Sequence, residues 1–160
     1  MTEELGDECR RALLEQYKLY VEMADRVSAR RTQTNAFYIS LLGALLAVVS
    51  VSAALSPSSG SVYTLFVVAA GVLGVLLCLL WRVNIRSYRQ LNAGKFKVIH
   101  DMEEHLPFPA YKKEWEILNR GDEPRKYLLL TTVEQWVPVA LAVPYLMLLV
   151  CGLQRLADAG

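Results

Sequence analysis

From residue 36 to residue 81 the chain carries no Lys, Arg, Asp or Glu. Inside that stretch two apolar runs, residues 36–55 and 62–81, flank the cluster Ser56-Pro57-Ser58-Ser59-Gly60-Ser61. Each run is 20 residues long, and a helical rise of about 1.5 Å per residue lets it cross a hydrocarbon core of about 30 Å. A backbone in lipid has no water to bond, so a lone apolar run must close its hydrogen bonds within itself, as a helix does. The Ser/Pro/Gly cluster is short, uncharged and turn-forming. This pattern predicts two transmembrane helices joined as a hairpin. Phe37, Tyr38 and Trp81 are expected as aromatic anchors at one interface and Tyr63 at the other.

The remainder is far more polar, since 21% of the 160 residues are charged although 54% are apolar. The first 35 residues are polar, unlike a secretory leader, so the first run is expected to stay in place as an anchor. Residues 8–34 form an amphipathic helical pattern: Leu13, Tyr17, Tyr20, Ala24 and Val27 follow spacings of 4, 3, 4 and 3. That alternation predicts an apolar stripe against another helix, either within the subunit or across a subunit seam. After Trp81 a second long helix is expected to about Leu106. Ile85, Tyr88, Leu91, Phe96, Ile99, Met102 and Leu106 lie on its apolar side, and Lys95, Lys97, Asp101, Glu103 and Glu104 are polar. Leu106-Pro107-Phe108-Pro109 ends it, because proline cannot continue a helix. A short helix over 111–118 with Trp115 as packing anchor follows, then a loop over 119–124. Residues 136–153 form a third uncharged run with Trp136 at its start and Pro144 inside. It reads as a third transmembrane helix, with an interfacial or re-entrant helix packed on the hairpin as the alternative.

Lys and Arg number six in residues 1–35, ten in 82–135, none in the turn, and one, Arg155, after Leu153. The positive-inside rule places the N-terminus and the central region in the cytosol. The net charge of +1 offers no concentrated basic surface for nucleic acid. Cys9, Cys78 and Cys151 are far apart, and the latter two are expected to pack as reduced small hydrophobes.

Chemistry is sparse. His100-Asp101-Met102-Glu103-Glu104-His105 is the densest cluster of ligand-type side chains, but its histidines are five apart and fall on different helix faces. The expectation is a solvated acidic face, with His100 and Glu104 able to pair, and no metal or other cofactor. No phosphate-binding glycine loop, GxSxG or Cys–His pair is present, and no ionisable residue sits at mid-membrane in the first two runs. Small residues remain the notable feature: Ala70, Gly71 and Gly74 in the second run, Gly43 and Ala47 in the first, with Ser50 and Ala54 beyond. Such residues let helix backbones approach in lipid, within one hairpin or between subunits. Arg26, Arg30 and Arg31 precede the first run, and Arg82, Arg86 and Arg89 follow the second. They suit topology and anionic-lipid contact, or bracing through Asp25 and Glu134.

The stretches YKLYVEMADRVSARRTQTNAFYISLLGALL (17–46) and LLCLLWRVNIRSYRQLNAGKFKVIHDMEEHLPFPAYKKEWEIL (76–118), with VEQWVP (133–138), resemble the RipA family of octameric bacterial membrane proteins. SYRQLNAGKFKVI (87–99) is the most specific portion. The resemblance implies a homo-octamer of the cytoplasmic membrane with no assigned reaction. It carries over Arg26, Arg31, Asn35, Trp81, Arg86, Tyr88, Leu91, Asn92, Lys95, Phe96 and Trp115 as signature positions, of types suited to bracing membrane-proximal helices.

The expected protein is therefore all-α. It has a cytosolic juxtamembrane helix (1–35), a transmembrane hairpin (36–81), a cytosolic helical region (82–132) and a third apolar helix with its tail (133–160). Leu13, Tyr17, Tyr20, Val27, Gly43, Ala47, Ala70, Gly71 and Gly74 are the candidate packing or oligomer residues. Partners are other copies and membrane lipids. The expected function is structural or regulatory. The alternatives are a pore or membrane-disrupting effector, whose lumen Ser40, Ser50, Ser52 and Thr64 would line, and, last, an enzyme using the cytosolic helices.

Overall fold

The computed structural model describes residues 2–55, 60–117 and 134–158. The expected turn, apart from Gly60 and Ser61, and the loop at 119–124 lie outside these. Four helices are described: α1 (Thr2–Leu55), α2 (Ser61–Glu103), α3 (Ala110–Ile117) and α4 (Val137–Asp158). The helices expected over 8–34 and 36–55 are one element, because no proline or glycine pair interrupts the sequence where its polarity changes. The same holds for the second apolar run and the helix after Trp81. Among the described residues there is no strand, and α1, α2 and α4 are each long and apolar enough to cross a membrane. The chain is thus a helical membrane protein with a third apolar helix added to a hairpin.

The helices divide between two compact units, Gln33–Arg86 with Val133–Gly160, and Met1–Thr32 with Ser87–Thr132. In the first, the apolar unit, Leu42, Cys78, Trp81, Ile85 and Tyr145 form the core, and Val49, Val67 and Ala70 form a second cluster. Here α4 runs antiparallel to α2. Tyr145 lies on Gly74, Leu149 on Gly71 and Val68 on Gly152. A Cβ on Gly71 would stand 2.9 Å from the Leu149 backbone nitrogen, and one on Gly74 would overlap the Tyr145 ring. Glycine is what permits this approach, and close packing is the main source of helix association where lipid removes the hydrophobic drive. The α4 helix continues through Pro144.

In the second, the polar unit, the predicted stripe turns inward. Ala24 is buried, and Leu13, Tyr17, Tyr20 and Val27 are half-buried between exposed neighbours. On α2 the inward positions are Tyr88, Phe96, Ile99 and Met102, as expected, together with Glu103. Leu91 is exposed (49%), and Asn92 takes the inward position beside it. Trp115 is not a packing anchor: it is 37% exposed, and α3 buries no residue. Its inward contact is instead Tyr111, whose ring lies 5.8 Å from that of Phe96.

Candidate functional site

Two polar constellations and one uncovered helix face stand out. The first constellation lies where the apolar runs of α1 and α2 end. Trp81 is 1% exposed, so it is no interfacial anchor. Its indole nitrogen donates to Asn35 Oδ1 at 2.8 Å, and its ring stacks on Tyr38 with centroids 5.7 Å apart and planes within 6°. Asn84 Nδ2 donates to the Tyr38 hydroxyl at 2.9 Å. A buried indole N–H needs such an acceptor, and Asn35, the residue just before the first apolar run, supplies it. Phe37 and Trp136 lie outside the core, at 60% and 69% exposure.

The second constellation surrounds Glu103, expected on a solvated face but only 1% exposed. Tyr17 Oη donates to its Oε1 at 3.0 Å, and the backbone amides of Tyr111 and Lys112 donate to its two carboxylate oxygens at 2.8 and 3.0 Å. Those amides belong to the first turn of α3, where N–H groups lack helical partners and negative charge is favoured. Glu103 therefore caps a helix from another helix and ties α1 to both. Burial, then the hydrogen bond to Glu103 and that carboxylate's charge, push Tyr17 up to about 12. Burial, followed by the charges of Asp25, Glu114 and Glu103, also raises Tyr111. The available signal was periodicity, since Phe96, Ile99 and Glu103 follow the 3-and-4 spacing of the buried stripe.

The other candidate residues are mostly engaged locally. Arg26 bonds Glu22 on its own helix at 2.7 Å, rather than Asp25 or Glu134, an exposed pair worth only a few tenths of a kcal/mol. Arg30, Arg31, Tyr88 and Glu134 all hold interactions. Arg86 is exposed. Lys95 lies 5.5 Å over the Tyr20 ring, and Asn92 Nδ2 reaches Ser28 Oγ at 3.5 Å. His100 and Glu104 do not form the expected pair; Glu104 faces Lys112 at 3.4 Å and His105 Nδ1 lies 3.2 Å from the Asp101 carbonyl. Among the described residues no three His, Cys, Asp or Glu side chains converge. Cys78 is buried, but Cys151 is exposed, against expectation, because it borders open space beside α4.

The small residues separate into two sets. Gly71, Gly74 and Ala70 are buried under α4 or against Val49 and Val67. Gly43 and Ala47 face outward, and nothing lies within 4 Å of where a Gly43 Cβ would stand. Ala36, Ser40, Ala44, Ser50 and Ala54 share that outward exposure.

No curated protein and no solved structure matches the chain. A family model does, over residues 14–154: that of the octameric membrane protein family, 8xMP. The name RipA is not part of that match, but the octameric membrane class read from residues 17–46 and 76–118 is. Because the match covers most of both units, this chain belongs to the octameric membrane protein family.

Proposed function

We propose that the chain is one subunit of a homo-octamer in the bacterial inner membrane, with its N-terminal and central regions cytosolic and a structural or regulatory role rather than a catalytic one. The supporting observation is the uncovered small-residue face of α1. Gly71 and Gly74 of α2 are consumed by α4 inside the subunit, whereas no described residue lies within 4 Å of where a Gly43 Cβ would stand, and Ala47 is exposed beside it. Small residues facing outward favour close approach by another helix, and the family's name supplies the partner, a further copy. The lysine and arginine distribution supports the orientation. For an enzyme, the remaining polar clusters offer little: the Glu103 oxygens are occupied by Tyr17, Tyr111 and Lys112.

A pore asks for polar side chains free to meet water. Thr64 is buried and the Ser50 and Ser52 hydroxyls donate to the Leu46 and Val49 carbonyls at 2.8 Å, which leaves one exposed hydroxyl of the four, Ser40, without a described partner, too little to line a lumen. Native mass spectrometry in mild detergent tests the octamer, with eight copies of the 18.0 kDa chain expected. Gly43→Leu is expected to lower the assembled fraction while leaving the helix content unchanged. A monomeric wild type, or full assembly of Gly43→Leu, would remove the basis of the proposal.

A further inference from the structure

The apolar unit contains an open groove between α1 and α4 that its own side chains leave unfilled. The groove has a volume of about 240 Å³ and is lined by Leu46, Val49, Pro144, Met147, Leu148 and Cys151, with Ser50, whose hydroxyl is turned back on the Leu46 carbonyl. A second cavity of about 130 Å³ shares Leu148 and Cys151 with it and adds Tyr63, Thr64 and Arg155. The first opens beside α1 and the second beside α2, and their lining residues on α4 extend from Pro144 to Arg155 in the last turn. Eleven residues separate Pro144 from Arg155. At about 1.5 Å per residue this is about 16 Å, half of a hydrocarbon core of about 30 Å. The groove is therefore one leaflet deep.

Its chemistry changes along that depth as a phospholipid's does. The inner part is apolar, and the end beside the start of α2 presents a guanidinium and a phenol. No hydrogen bond or ion pair to another described residue engages Arg155, although Asp158 lies one turn away. Guanidinium is the side chain best matched to phosphate oxygens, and basic pockets between transmembrane helices suit anionic headgroups. We infer that this groove holds one acyl chain of an anionic phospholipid from the leaflet on the hairpin-turn side, with its phosphate on Arg155 and Tyr63.

The test uses the full-length protein, phosphatidylglycerol and phosphatidylethanolamine as probes, and native mass spectrometry to count retained lipids per subunit. Wild type retains about one phosphatidylglycerol per subunit in preference to phosphatidylethanolamine. Arg155→Gln lowers that retention about tenfold, the size expected for loss of one charge-assisted contact, and Arg155→Lys largely preserves it. Cys151→Phe fills the groove and removes both lipids. Met147→Trp, placed at the exposed rim, does the same should the first variant fold poorly. Equal retention by Arg155→Gln, or by a folded groove-filling variant, overturns the inference. So does a groove-filling variant that changes subunit number while lipid retention stays constant, since the groove would then belong to a neighbouring copy. Lipid is counted per subunit, so failure of the octamer leaves this result readable.

Discussion

The two units of this protein hold their helices together by opposite means. In the apolar unit the contacts are close and nearly featureless: glycine against the Tyr145 ring, glycine against the Leu149 backbone, alanine beside valine. Its hydrogen bonds are few and satisfy specific groups, such as the Trp81 indole on Asn35, Asn84 on Tyr38 and the Tyr145 hydroxyl on the Leu42 carbonyl. In the polar unit the fully buried side chains are few, chiefly Ile99 and Glu103, and one carboxylate gathers three donors from two helices. The difference follows from the surroundings. Lipid offers no gain for merely hiding an apolar side chain, so fit must supply the association. Water rewards hiding apolar surface but makes an unpaired buried charge costly, so Glu103 is retained with every neighbour aligned to it.

Three perturbations probe that contrast. The largest effect is expected from Gly74→Leu. The new side chain would start where the Tyr145 ring lies, so α4 cannot stay docked, and the loss exceeds the roughly 3 kcal/mol usual for overpacking. Loss of the folded population in a detergent thermal melt is the readout. A wild-type melting curve would mean that steric fit does not hold this unit. Next is Glu103→Ala, which strands two backbone amides and a phenol and should cost about 3 kcal/mol. Glu103→Gln, which keeps an acceptor, should cost about 1 kcal/mol. Equal costs for the two substitutions would mean that packing, not hydrogen bonding, governs the polar unit.

The smallest effect is alkaline. Tyr17 is raised from its ordinary 10 to about 12 in the folded chain. The folded state therefore holds the phenolic proton more tightly than the unfolded one. That contribution is fully present below pH 10 and is lost as pH rises through about 12. Tyr17→Phe should flatten this part of a pH–stability curve while leaving the apolar unit's response unchanged. An identical alkaline decline in the variant would show that Tyr17 is not its source.

What could be read from the sequence differs between the same two regions. The hairpin and the third apolar helix were legible because length and absence of charge are strong signals in a bilayer. So was the stripe from Leu13 to Val27, whose period survives any choice of partner. Trp81 was misplaced because composition treats a tryptophan at the end of an apolar run as an anchor. Its burial depends on Asn35 and Tyr38, more than 40 positions away in the chain. Glu103 was misplaced because residue type was weighed above periodicity, although its spacing from Ile99 and Phe96 put it on the inner side. Trp115 and Leu91 failed in the converse way, as apolar side chains left outside by helices whose inward positions were already filled. The small residues were recognised as a set, but the sequence could not divide them between α4 and the open face of α1. That division depends on a register between segments about 75 positions apart.

The capping of α3 by Glu103 has a consequence for how this protein can be interrogated. A helix of eight residues has little stability alone, so α3 exists on terms set by a side chain outside it. Lys112 and Lys113 stand in its first turns and are exposed. Trypsin cleaves unfolded backbone far more readily than helix, so its rate after these lysines becomes a gauge of the Tyr17–Glu103 contact. Anything that pulls α1 away from Glu103 would register there as a faster cut, without a label or an assay of function.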